Sequence, residues 1–254
     1  MGWLRTLLLL TSLLAGQAAS AELRVALGDR STLPDGSPDE VAALNEDLAR
    51  ALCQRMNARC TFTRKPLGEI IPGVEGGSID LGFGNFLRSA ERERQVAFSD
   101  PLWHSSSRLL AKRAVAAAFP ADRPGPDELR RARVAAVDGS RQHTYLTDVA
   151  GARELTVLGA TTPAATLALL AEGRADFALL PVLSAYVALR HSDGKGLEFF
   201  GPPSARNGLG GSVHAVLPKR NPTLQREVNR ALAALRADGS YQRMVRQHLP
   251  FGLD

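Results

Sequence analysis

Glu75-Gly76-Gly77-Ser78-Ile79-Asp80-Leu81 decides the fold, because it returns later as Glu172-Gly173-Arg174-Ala175-Asp176-Phe177. Each stretch closes a helix-like segment and carries Gly-x-x-Asp into an apolar strand. In each, a glycine is suited to the left-handed conformation of a helix end. Before the first copy, Leu67 to Glu75 reads as a helix stopped by Gly76-Gly77, and Ile79 to Phe83 as the strand after it. Further upstream, Val41, Leu44, Leu48, Leu52 and Met56 recur at helical spacing, so a helix runs to about Arg55. Leu23 to Leu27 precedes it as a strand, with a polar turn from Asp29 to Pro38, and Cys60 to Thr63 follows it as another.

The second copy sits in the same setting. Arg133 to Val137 reads as a strand, Ser140 to Val149 as a helix and Leu155 to Leu158 as a strand. Pro163 to Glu172 is a helix with proline in its first turn, Phe177 to Leu180 a strand, and Leu183 to Leu189 a helix. Strands alternating with helices point to βαβ units and a largely parallel sheet. Two such runs predict two α/β lobes. The apolar segment Leu109 to Ala118 is expected to cross between them, and glycine-dense Gly208 to Val213 to cross back. Val213 to Leu217 then reads as a strand, with helices over Pro222 to Ala237 and Tyr241 to Gln247 packing on the first lobe. The predicted division is 1–21 as an export signal, 22–108 plus 213–254 as the first lobe, and 109–212 as the second. Two lobes joined twice enclose a cleft, the usual place for a ligand at the carboxyl ends of α/β strands.

The export signal rests on Arg5, the short apolar core Leu7 to Leu14, and the small residues Ala19-Ser20-Ala21. That core is short for a membrane span, which needs about 20 residues; a retained anchor is the alternative. With 44% hydrophobic and 22% charged residues the composition is that of a globular chain. The net charge of +5 is spread among acids, as in Arg92-Glu93-Arg94, which reads as a solvated surface and not a nucleic-acid face. Cys53 and Cys60 are the two cysteines, and in an exported chain they predict a structural disulfide. The five histidines, His104, His143, His191, His214 and His248, are dispersed, so no metal site and no cofactor are expected. No serine-hydrolase elbow and no phosphate-cradling loop occur.

Chemistry concentrates in Gly82 to Trp103, GFGNFLRSAERERQVAFSDPLW, which leaves a strand and opens a short helix. An arginine at such a place can grip a carboxylate with two parallel hydrogen bonds. From the residues alone, Arg88, Arg92 and Arg94 are equal candidates.

Several segments resemble the bacterial extracellular solute-binding proteins of family 3, and within them the lysine/arginine/ornithine- and histidine-binding subgroup. They are Glu46 to Cys53, Cys60-Thr61-Phe62, Ile71-Pro72, Gly76 to Asp80, Arg92 to Pro101, Gly201-Pro202 and Arg236 to Tyr241. The resemblance implies a type II periplasmic-binding-protein fold, with a mostly parallel sheet in each lobe and two hinge crossings. It implies a monomer in the periplasm that binds an amino acid or related carboxylate and serves a membrane ABC permease. It places the carboxylate-gripping arginine, six residues before the Phe-Ser pair, at Arg92. It gives the second lobe's contribution to Ser140, with Arg141 where a threonine is usual, and it matches the Cys53–Cys60 cystine. Leu67, Asn85, Leu87 and Pro181 complete the expected ligand-binding set.

Three departures stand out. Leu87 occupies a position usually Ser or Thr, and Pro181 a position usually acidic that pairs with the ligand's ammonium. The first-loop aromatic is missing from Arg30 to Pro34. A buried cation without a counter-charge costs several kcal/mol, so these changes favour a more anionic ligand, or one whose amine is blocked or absent. Asp29 and Asp138 are the candidates to replace the missing acid. Two other readings compete with a transport protein. One is an enzyme similar to cyclohexadienyl dehydratases, and the other a sensory binding module.

Overall fold

The computed structural model describes residues 22–29, 39–119, 123–191 and 196–253. The export-signal reading and the loop Arg30 to Pro34 lie outside them. The chain runs β1 (Glu22–Gly28), α1 (Glu40–Arg55), β2 (Arg59–Lys65), α2 (Leu67–Gly76), β3 (Leu81–Leu87), α3 (Ala90–Gln95), β4 (Ala97–Phe98) and β5 (Trp103–Ser105). There follow β6 (Ser107–Lys112), α4 (Arg113–Ala116), β7 (Arg133–Val137), α5 (Arg141–Arg153), β8 (Thr156–Ala160), α6 (Pro163–Ala171), β9 (Phe177–Pro181) and α7 (Val182–Arg190). It ends with β10 (Leu197–Ser204), β11 (Gly211–Leu217), α8 (Pro222–Ala237) and α9 (Ser240–His248).

These strands form two sheets. The first is ordered β2-β1-β3-β11-β4, with β5 also on β11; the second is β10-β6-β9-β7-β8. Inside each lies the same unit. In the first, β1 pairs in parallel with β2 and β3, and β3 then meets the antiparallel β11. In the second, β7 pairs in parallel with β8 and β9, and β9 meets the antiparallel β6. The reversed strand is in both cases the one that enters the sheet from the other lobe.

The repeated Gly-x-x-Asp explains why the units match. Gly77 and Gly173 take left-handed backbone, at φ 83° and 72°, and turn the chain out of α2 and α6. Asp80 then accepts from the Arg24 backbone N–H and from its Nε and Nη2, each at 2.9 Å. Asp176 does the same to Arg133, at 2.9, 3.1 and 2.5 Å. The return bonds, Asp80 N–H to Arg24 O and Asp176 N–H to Arg133 O, are both 2.9 Å. Each aspartate thus sets the start of one strand against its parallel neighbour. These pairs are solvent-exposed, where an ion pair contributes at most about 1 kcal/mol, so register and not stability is their main product.

The crossings correct one expectation. Leu109 to Ala118 does not bridge the lobes: its first part lies in β6, within the second sheet, and its next residues form α4. The chain crosses instead at Ser106, between β5 and β6. Ser107 is fully buried there, donating to Leu209 O at 2.5 Å and accepting from Gln142 Nε2 at 2.8 Å. This tie fixes Ser107 in the second sheet opposite Pro181. The return crossing lies between Ser204 and Gly211. The disulfide joins Cys53 of α1 to Cys60 of β2. Helix α7 packs into both cores: Leu183 and Val187 among the first lobe's residues, Ala185 and Ala188 among the second's.

Candidate functional site

Arg92 is held by local structure on both sides. β3 ends at Leu87, and Ser89 caps α3 by accepting from the Arg92 backbone N–H at 3.3 Å. The side chain folds under the helix and is only 8% exposed. Its Nη1 donates to Leu87 O at 3.0 Å, and its Nη2 crosses to the second lobe to donate to Gly139 O at 3.0 Å. The guanidinium lies 5.6 Å from the centre of the Phe86 ring. Burial, and then the nearby charge of Arg141, push its pKa down to about 10. Among the described residues no carboxylate pairs with it. The other two arginines of the segment are exposed: Arg88 pairs with Glu93, and Arg94 only approaches Ala90 O at 3.5 Å.

The facing wall comes from the second lobe. β7 ends at Val137, and Gly139 turns the chain at φ 72°. Ser140 caps α5, accepting from His143 N–H at 3.1 Å. Gly139 sits against Gly68 of α2. A methyl group added at Gly139 would fall 2.5 Å from Gly68 Cα and 2.7 Å from its nitrogen. Backbone meets backbone at this point, and the lobes are closed on each other. Arg141 donates through Nη2 to Asn207 O at 3.3 Å and lies over Gly208, while its Nε is buried without an acceptor.

Between these walls is a cleft of about 880 Å³, counted out to its open mouth. All seven residues singled out from sequence line it: Leu67, Asn85, Leu87, Arg92, Ser140, Arg141 and Pro181. Asp29 lines it as well. Asp138 does not; it faces His143 at 3.4 Å and lies against Gly159, so one candidate acid is removed. Trp103 is in the first lobe's core, 2% exposed, beside a smaller hollow it shares with Asn85, Leu87 and Pro181.

The sequence reading missed Asn45 and Asp39, which also line the cleft. Asn45 donates to Asn85 Oδ1 at 2.8 Å and to Val41 O at 3.1 Å, and Asn85 is held at φ 56°. The signal was present: Asn45 is a polar residue inside the apolar stripe Val41, Leu44, Leu48. Asp39 caps α1, accepting from the N–H groups of Val41 and Ala42.

Residues 37–251 match the family model of bacterial extracellular solute-binding proteins, family 3. The histidine-binding periplasmic protein of Escherichia coli strain K12 is 28% identical over 217 residues, covering 85% of this chain and 82% of that protein. The lysine/arginine/ornithine-binding periplasmic protein of the same strain is 27% identical over 258 residues, covering 97% of this chain and 97% of that protein. An ancestral arginine-binding protein bound to arginine superposes with a TM-score of 0.77 at 21% identity, over 91% of this chain and 98% of that one.

Proposed function

We propose that this chain, which belongs to the bacterial extracellular solute-binding proteins of family 3, is the periplasmic binding component of an ABC importer. Its cargo in this reading is an amino acid or a related small carboxylate. The observation that carries the reading is Arg92: a buried guanidinium, tied to one carbonyl from each lobe, with no carboxylate partner among the described residues. A buried charge lacking a counter-ion is costly, and an anionic ligand supplies one. Likeness to histidine- and lysine/arginine/ornithine-binding relatives supports a carboxylate-bearing cargo.

The mechanism follows from the two walls. The ligand carboxylate meets Arg92 and Asn85 on the first lobe while the cleft is open. Closure brings up Ser140 and Arg141, with Leu67, Leu87 and Pro181 excluding water. Closure is a population shift, driven only by contacts that the open form cannot make. The protein then acts as a monomer and passes its cargo to a membrane permease. Removal of residues 1–21 on export belongs to the same reading, with the predicted lobe bounds moved to 22–105 plus 211–254 and 107–204 by the crossings at Ser106 and between Ser204 and Gly211.

Arg92→Met tests it, because methionine fills similar apolar space against Phe86 without charge. Two charge-assisted hydrogen bonds at about 1.5–3 kcal/mol each correspond to a loss of roughly 10²- to 10⁴-fold in affinity. The lowered pKa represents about 3 kcal/mol held against the charged form. Loss of the guanidinium's bonds to two carbonyls costs about 1.5–3 kcal/mol each. The terms offset in part, so the unliganded variant is expected to unfold at or a little below the wild-type temperature. A thermal-shift screen against amino acids and other small carboxylates reads both. Ligand shifts that persist in the variant would refute the role of Arg92.

A further inference from the structure

We propose that the cleft is built for carboxylates bearing an oxygen substituent on the α-carbon, 2-oxo or 2-hydroxy acids, in preference to free α-amino acids. The inference rests on a carboxylate being bound at Arg92, and it comes from the donors and acceptors around that position.

An α-amino acid gripped by its carboxylate places its ammonium one carbon away. That group has three donors and no acceptor, and when buried it needs a carboxylate partner. The surroundings of Arg92 offer little to it. The Leu87 and Gly139 carbonyls already accept from Nη1 and Nη2. The side chains of Leu87 and Phe86 are apolar, and Pro181 on the facing lobe has neither an N–H nor a polar side chain.

The described carboxylates of the cleft stand apart. Asp39 is 6% exposed and accepts two backbone N–H groups at the start of α1. Asp29 follows β1, whose register with β3 pairs Leu27 with Phe83. This places Asp29 level with Asn85, with its backbone N–H bonded at 3.0 Å to Lys65 O of β2, the strand on the other side of β1 from β3.

Asn45 Oδ1 is a buried acceptor without a donor, but it is a neutral amide oxygen that supplies no counter-charge to an ammonium, and on the second lobe the unsatisfied group is a donor. Arg141 has a single peptide carbonyl at 3.3 Å and a buried Nε with no acceptor. Its charge and that of Arg92 repel across the closed cleft. An oxygen at the α-carbon accepts from a guanidinium there, and an ammonium would add a third positive charge.

Isothermal titration of the protein with matched pairs tests the proposal. Suitable pairs are glutamate against 2-oxoglutarate and 2-hydroxyglutarate, leucine against 4-methyl-2-oxopentanoate, and arginine against 5-guanidino-2-oxopentanoate. In at least one pair the oxo or hydroxy acid is expected to bind at least tenfold more tightly than the amino acid. Arg141→Gln should reduce that preference at least tenfold. Pro181→Asp should shift it toward the amino acid; if this variant does not fold, as judged by circular dichroism, Arg141→Gln carries the test. Amino acids binding as tightly as their oxo partners, or more tightly, would overturn the inference and leave the carboxylate reading standing. No binding by any member, or binding that survives Arg92→Met, would overturn both.

Discussion

Replacing Gly139 by alanine separates closure of the lobes from folding of either one. The new Cβ would lie 2.5 Å from Gly68 Cα and 2.7 Å from Gly68 N. Carbon atoms in comfortable contact are about 3.5–4.0 Å apart, and both neighbours are backbone, so the lobes must part by about 1 Å or more. A shift of that size carries the 3.0 Å bond from Arg92 Nη2 to Gly139 O beyond hydrogen-bond range. One charge-assisted bond contributes about 1.5–3 kcal/mol, so the variant should bind about ten- to a hundredfold more weakly. Alanine also pays about 1–2 kcal/mol for the left-handed backbone at φ 72°. That cost is present whether the cleft is open or closed. It lowers the unfolding temperature and leaves affinity untouched. Gly68→Ala is the control, because a Cβ there meets Gly139 Cα at an ordinary 3.8 Å. Titration calorimetry with the tightest ligand from the screen measures affinity, and small-angle scattering with and without ligand measures closure. Wild-type binding by Gly139→Ala, or an equal loss in Gly68→Ala, would refute the reasoning.

Removing the disulfide through Cys53→Ala with Cys60→Ala opens a loop with a sequence separation of 7. The loss should be about 2–3 kcal/mol, measurable by urea unfolding, with ligand affinity unchanged because neither residue lines the cleft. His214 is 4% exposed, donates through Nδ1 to Ser99 O at 2.7 Å, and has its pKa pushed down by burial. Its unfolded form takes up a proton as pH falls through about 6.5 while the folded form resists, so stability is lost on the acid side. Unfolding free energies at pH 7.5 and 5.5 should differ less in His214→Gln than in wild type; equal differences would discount this residue. Ser140→Ala removes the cap of α5 and should cost about 1 kcal/mol of stability.

Much of the architecture was legible because it depends on local periodicity. The predicted helix over Pro222 to Ala237 and the strand over Arg133 to Val137 match α8 and β7 at both ends. The short strands β4 and β5 and the longer β10 carried no such signal. They exist because β11 and β6 offer them an edge to pair with, and an edge is supplied by distant chain. The crossing misplaced onto Leu109 to Ala118 has the same cause. Apolar character there reflects burial in a sheet, while the true crossing is set by the long-range tie from Ser107 to Leu209.

For the site, residue types and the family pattern were enough to single out Arg92, Ser140 and Arg141, and the Cys53–Cys60 pair could be read from two cysteines alone. Tertiary structure decided which of Arg88, Arg92 and Arg94 is buried, that Asp138 points away from the cleft while Asp29 lines it, and that Gly68 and Gly139 touch. Helix and strand periods are written in neighbouring residues. Burial, charge partners and backbone contact between lobes depend on segments brought together only when the chain folds.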